Sequence, residues 1–260
     1  MMQLTFGLGT VEAEFWRWLF VMTRIGAALM AAPFFGANSV PVQVRVIVTG
    51  AVAVLVCNWL PVNAPAALLS LPGMLAVAGE VLVGLTLGMV LQIAFAAPVI
   101  AAELIGAGMG MSIATAADPN TGAHSPALGQ YYAVVLTLVF LALGGHLIFI
   151  DLVLKSYATF PPGQTWLGAG RLEMVAGYAS TMLLTALAIA LPVTVILLLV
   201  QFAAGMLSRS APSLNLFALG LPAGVLAGVA GLIISAPLLP DAMSALTADA
   251  LAKAGEVISR

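Results

Sequence analysis

From Leu71 to Met111 the chain stays apolar for longer than a bilayer is thick, with Glu80 and Glu103 as its only charges. A helix from Met74 through Met111, rising about 1.5 Å per residue, overruns a hydrocarbon core of about 30 Å. The run is therefore expected to bend near Pro98 and also to stand partly outside the bilayer. Its end is stranger than its length. The stretch Gln92–Gln130 is too apolar for a loop and too broken for a spanning helix. Pro98 and Glu103 interrupt it, Gly106, Gly108 and Gly110 alternate with Met109 and Met111, and Asp118-Pro119 opens a polar turn. Irregular backbone among spanning segments is tolerated only where protein buries it or where it lines a water-filled path. That makes 92–130 the first place to look for function.

The rest of the chain has the same character. Hydrophobic runs lie at about 15–35, 44–60, 71–99, 131–154, 174–204 and 214–239. A span needs roughly 20 apolar residues, so about six hydrophobic segments and an all-α membrane fold are expected. Composition agrees: 7% of the 260 residues are charged and the mean hydropathy is +1.15, whereas soluble domains carry about 25% charged residues. A net charge of −2, with no basic run, argues against a nucleic-acid partner. The single cysteine, Cys57 in VLVCNWL, excludes an internal disulfide and a cysteine-based metal cluster, and reads as a small buried side chain. Acidic flanks before the first run, without a small-residue cleavage site, predict no removable signal peptide.

The few charges stand out. Arg17 lies near the end of the first run and can snorkel. Arg24 lies deeper, where an arginine costs about 2.5–3.5 kcal/mol unless paired, so a protein partner is expected. A turn with Pro33, Pro41 and Arg45 follows. Glu80 and Glu103 have no basic neighbour three or four residues away, so ionised forms need partners from another segment or another chain. For Glu103 a watery membrane edge is an equal alternative. Glycines recur at 79, 84 and 88, at 106 and 110, and at 220, 224 and 228, and the spacings of four among them suit close helix packing. The segment DLVLKSYATFPPGQTWLGAGRLE is expected to be a surface loop carrying Lys155, Arg171 and Glu173. With six spans, Lys155, Arg171, Lys253 and Arg260 fall on one side against Arg45 and Arg209, which favours cytoplasmic termini. The chain thus divides into one helical membrane domain, 1–240, and an amphipathic C-terminal tail, 241–260.

Catalytic constellations are missing. His124 and His146 are too far apart for an H-E-x-x-H site, and there is no G-x-S-x-G elbow, Walker loop or G-x-G-x-x-G. His146, in GGHLIFI, reads as a packed or hydrogen-bonded helix residue and His124 as a loop residue. No enzyme, cofactor or metal is expected.

Several segments, in order, resemble one family. Arg24, Pro33, Val40-Pro41 and Arg45 come first, then AGEVLVGLTLGMVLQIAFA, then AELIGAGMGMSIATAADP from Ala102 to Pro119. GGHLIFI, SYATFPPG and GMLSRSAPSLNLFALGLP from Gly205 to Pro222 complete the series. Together they are similar to the FliR/SctT family, the R-type subunit of flagellar and type III secretion export gates. The likeness runs over nearly the whole chain.

The resemblance implies a pore and scaffold subunit of bent helical hairpins in the bacterial inner membrane, at the base of a flagellum or secretion system. Implied partners are the P-type and Q-type subunits, the switch (B-type) subunit, membrane lipid and the unfolded polypeptides being exported. It implies assembly or packing roles for Arg24, Pro33, Pro41, Arg45, Glu80, Glu103, His146, Asn215, Phe217, Gly220 and Pro222. It also implies a pore plug over Gly108, Met109, Gly110, Met111, Ser112, Ile113, Ala116, Asp118 and Pro119. Flexible methionines and glycines suit a gate that repacks as a chain passes. Ile113 and Ala116 depart from the pattern, since relatives often carry bulky aromatics there. The residues alone leave another class open: a small-molecule or ion transporter with midplane Glu80 and Glu103 and helices broken at Pro98 and Pro192.

Overall fold

In the computed structural model, residues 8–37, 40–60, 62, 70–111, 127–163, 168–210 and 216–259 are described, with backbone alone at 8–10 and 216–219. The helices are α1 (Leu8–Ala31), α2 (Val42–Trp59), α3 (Leu71–Gly108), α4 (Ala127–Ala142), α5 (Gly145–Thr159), α6 (Ala169–Ser210), α7 (Leu216–Ser235) and α8 (Leu239–Ser259). A short 3-10 turn, Ala236–Leu238, joins the last two. Among the described residues there is no strand, so the fold is all-α as the apolar runs require.

Runs and spans do not correspond one to one. Among the described residues, four helical stretches are long and apolar enough to cross a membrane: Val42–Trp59, Leu71–Gly108, Ala169–Ser210 and Gly220–Ser259. Taking Ala127–Ala142 and Gly145–Thr159 as one broken span makes five. The first run is largely helical but is not among them, and its helix, α1, carries Glu12, Glu14, Arg17 and Arg24. The fourth run is interrupted where Gly144 takes φ +69°, a left-handed backbone that glycine adopts without a Cβ penalty.

The two longest helices exceed what a bilayer needs. With 38 and 42 residues, α3 and α6 hold about 57 and 63 Å of helix at about 1.5 Å per residue. Neither internal proline ends its helix: α3 continues through Pro98 to Gly108, and α6 continues through Pro192. The helix breaks that a transporter reading expects at these prolines are therefore absent. Pro98 lacks the N–H that would reach the Ala94 carbonyl, and Ala94 is also where the chain passes from one compact unit to the other.

The first unit comprises Met1–Ile93, Gly145–Tyr178 and Asp249–Arg260. Its α1 buries Phe20, Val21, Arg24, Ile25, Ala28 and Leu29, a stripe at helical spacing. Trp18 of α1 donates to the Gly50 carbonyl of α2 at 3.0 Å. Arg17 reaches the C-terminal end of α2, donating to the carbonyls of Cys57 at 2.7 Å and Leu60 at 2.9 Å. These belong to the carbonyl end of a helix dipole, where a cation is favourable. Tyr178 donates to Asp249 at 3.0 Å and so holds the second half of α8 to the start of α6.

The expected surface loop is largely helix. Asp151 to Thr159 lies in α5, and Arg171 and Glu173 lie in the first turns of α6. The charges that suggested a loop are one exposed face, where Lys155 pairs with Asp151 at 2.6 Å one turn away. On the other face Phe149, Val153, Ser156 and Tyr157 are buried, followed by Phe160.

The second unit comprises Ala94–Gly144 and Ala179–Ala248. Phe95 of α3 meets Phe140 of α4 edge to face, with ring centroids 5.5 Å apart. Gly231 of α7 faces Val193 of α6, and a Cβ there would lie 3.1 Å from a Val193 methyl.

Arg17 gives this architecture a direct test. Replacing it with methionine keeps the apolar stem but removes the donor from the end of α2. Thermal unfolding of the detergent-solubilised protein should show a loss of about 1–3 kcal/mol, the range for charged hydrogen bonds and stranded acceptors. An unchanged melting curve would deny Arg17 the capping role.

Candidate functional site

The first cluster is a buried ion pair. Arg24 of α1 donates from Nε to Glu80 Oε2 at 2.7 Å and from Nη2 to Glu80 Oε1 at 3.0 Å. Both side chains are 0% exposed. Nη1 donates to the Ser156 hydroxyl at 3.2 Å, and Nη2 also reaches the Phe160 carbonyl at 2.9 Å. The guanidinium lies 4.1 Å from the centre of the Tyr157 ring, close enough for a cation–π contact. The Tyr157 hydroxyl donates to the Val21 carbonyl at 3.0 Å, which brings the end of α5 onto α1. The Gly163 N–H donates to Glu80 at 3.2 Å.

Small residues allow the pairing. A Cβ on Gly84 would collide with the Arg24 carbonyl, and one on Gly88 would meet Ala31 and the Ala28 carbonyl. With glycines on α3 and Ala27, Ala28 and Ala31 on α1, the two backbones approach closely enough for a bidentate contact. Both Glu80 oxygens are engaged. The pair is thus suited to holding three helices and the Phe160–Gly163 turn together.

The second cluster lies where α3 ends. Gly110 has φ +79° and its N–H bonds to the Ala107 carbonyl at 3.0 Å, a glycine stop for a helix. The Gly108 carbonyl, turned out of the helix, accepts from the Gln201 side-chain amide of α6 at 2.7 Å. Gly108 also faces Leu197, whose Cδ1 would lie 2.9 Å from an added Cβ. Met109 is 5% exposed and seats on the glycines of α7. At Gly228 an added Cβ would come within 2.6 Å of the Met109 sulfur, and at Gly224 within 3.5 Å of the Met109 carbonyl. Leu221 covers Gly110. Beside this joint is a cleft of about 350 Å³ whose lining includes Gly108, Gln201, Ala204, Gly220 and Leu221.

The remaining expected residues are spread out. Pro33 lies in the turn after α1, Pro41 precedes the first residue of α2, and Arg45 donates to the Ala37 carbonyl. Glu103 is exposed, and among the described residues it has no hydrogen-bond or ion-pair partner. His146, the second residue of α5, is half-buried, with Nδ1 unpartnered among those residues. Gly220 and Pro222 lie in α7, and of Phe217 only the backbone is described. Met111 is half-buried. Ser112, Ile113, Ala116, Asp118, Pro119, His124 and Asn215 lie outside the described residues. Among the described residues no group of His, Cys, Asp and Glu is placed to hold a metal ion.

Sequence reasoning missed Ser156, Tyr157 and Phe160, which it had placed in a surface loop. It also missed Gln201, although that is the only amide side chain between Arg171 and Ser210.

Residues 15–250 match the family described as bacterial export proteins, family 1. Flagellar biosynthetic protein FliR of Pectobacterium carotovorum subsp. carotovorum is 33% identical over 223 residues, 86% of this chain and 84% of that protein. FliR of Escherichia coli K12 is 31% identical over 234 residues, covering 88% and 89% of the two chains. FliR of Bacillus subtilis 168 is 32% identical over 207 residues, covering 78% and 80%. The chain belongs to bacterial export proteins, family 1, the FliR family. The match to bacterial export proteins spans both clusters, from Arg24 through Glu80, Gly108 and Tyr157 to Gln201 and Gly228.

The ion pair makes a second prediction. Removing one partner of a buried pair costs about 3–5 kcal/mol, whereas apolar replacement of both is often far milder. Arg24→Met and Glu80→Met should each sharply lower the yield of folded protein, and the double variant should recover much of it. Additive losses in the double variant, measured by size-exclusion yield, would show that the two residues act independently.

Proposed function

We propose that the chain is a structural, pore-forming subunit of the flagellar export gate in the bacterial inner membrane. It assembles with P-type, Q-type and switch-type subunits and helps unfolded polypeptides cross, with Gly108–Pro119 as the plug of the channel. Support for the machine comes from the family and from relatives named flagellar biosynthetic proteins. Support for a multi-subunit setting comes from apolar surface that one chain leaves uncovered: Leu184, Leu198 and Phe202 on α6 are 68%, 64% and 69% exposed. Such surface needs lipid or neighbouring subunits. Arg24 and Glu80 serve assembly by fixing the first unit's helices before other chains pack on them.

The observation that carries the plug reading is the seating of Met109. A methionine one residue past a 38-residue helix is buried on a glycine face of α7. An unbranched thioether on a smooth glycine surface can be withdrawn and replaced without large repacking. The transporter alternative loses its main carboxylate, because Glu80 is fully buried and bound by Arg24.

Deleting Met109–Ala116 in cells that assemble the whole gate should make the inner membrane leaky to small ions while P- and Q-type subunits still co-purify. Wild-type ion permeability with the gate intact would remove the plug from the proposal.

A further inference from the structure

We propose that Gln201 is the latch of the plug root, a positioning residue whose side-chain amide holds the Gly108 carbonyl and thereby keeps Met109 in its glycine seat. The inference rests on the plug reading above and adds to it the residue that sets the balance between closed and open.

The end of a helix leaves its last carbonyls without helical donors. At the end of α3 the backbone serves two positions, since Met109 N–H bonds to Ile105 and Gly110 N–H bonds to Ala107. The Gly108 carbonyl takes its donor from α6 instead, across 93 residues of sequence, at 2.7 Å. That bond acts at the residue before Met109. Its loss lets the root rotate at Gly108 and Gly110, two positions without side chains to resist.

The two flanking contacts favour release over rupture. Met109 meets Gly224 and Gly228, two positions of α7 that have no side chain to interlock with it. Gln201 is exposed beside the cleft of about 350 Å³, which leaves the amide room to swing aside. No lining side chain of that cleft is titratable or charged, and the Gln201 amide is the side-chain donor that the Gly108 carbonyl receives from α6. A chain pushing through the channel then has one directional bond between the root and α6 to break.

The test is ion flux through the assembled gate reconstituted in liposomes. Gln201→Met keeps length and removes the donor. Gln201→Asn keeps the amide but is one methylene too short to reach. Both should raise the leak roughly 2- to 10-fold, the equilibrium effect of losing one net hydrogen bond, with unchanged complex yield. Gln201→Glu supplies a signature that a purely structural role lacks. Ionised at about pH 7 it has no proton to give, and protonated at about pH 4 it regains an O–H donor. Its leak should fall toward wild type on acidification, while Gln201→Met shows no such slope. Wild-type leak in Gln201→Met and Gln201→Asn, alongside a leaky Met109–Ala116 deletion, would overturn the latch and leave the plug standing. A tight deletion variant would take the plug reading down, and the latch with it.

Discussion

A guanidinium and a carboxylate that both lie out of water are tolerable only in each other's company. The effective penalty for burying either ion alone is several kcal/mol, a sizeable part of the roughly 5–15 kcal/mol by which a folded domain is stable. Arg24 meets that penalty by placing four of its five N–H groups on acceptors: two on Glu80, one on Ser156 and one on the Phe160 carbonyl. Satisfying them fixes α1, α3, α5 and the turn at Phe160–Gly163 in one arrangement. Slack in any of these would strand a buried charge. The rest of the first unit inherits its geometry from that requirement, down to the glycines at 84 and 88 that let α3 come close enough.

Glycine does different work in the two units. On α3 it removes obstacles between backbones, and on α7 it removes obstacles to a side chain. Gly84 and Gly88 oppose alanines of α1, so the contact is backbone on backbone and rigid. Gly224 and Gly228 oppose Met109, whose thioether has several rotatable bonds and fills a smooth trough. The first arrangement suits a permanent joint and the second a seat that can be vacated.

Much of this was legible in the sequence, for reasons that particular residues make clear. The all-α membrane fold follows from long apolar runs, and the excess length of α3 from counting residues against bilayer thickness. Arg24 and Glu80 each stood out as charges in apolar runs, but nothing in a single sequence couples positions 56 apart, so the pair itself was invisible. The six apolar runs give four or five candidate spans among the described residues, and the run within α1 is left out because that helix carries four charges. The loop assigned to Asp151–Glu173 went astray because Asp151 and Lys155 were read as loop polarity. They are an i,i+4 pair on the outer face of a helix. Glycine spacings announced close packing without naming what would pack, and Met109 could not have been guessed as the answer for Gly228.

A gate needs contacts of intermediate strength, and the two clusters fall on opposite sides of that line. Breaking a buried ion pair costs about 3–5 kcal/mol for the stranded partner alone, too much for a joint that must part in each cycle of export. The root of the proposed plug relies on less. One hydrogen bond is worth about 0.5–1.5 kcal/mol net, and burying a methionine side chain about 1.5–3 kcal/mol. Their sum, about 2–4.5 kcal/mol, corresponds to an open fraction between a few per cent and about one in two thousand, since each 1.4 kcal/mol is tenfold. On the plug reading proposed above, that range would keep a resting channel shut yet let a passing chain supply the difference through its own contacts. On the same reading, a second ion pair of the Arg24 kind at Gly108 would close the proposed channel for good, and an apolar residue at 201 would leave Met109 to hold it alone.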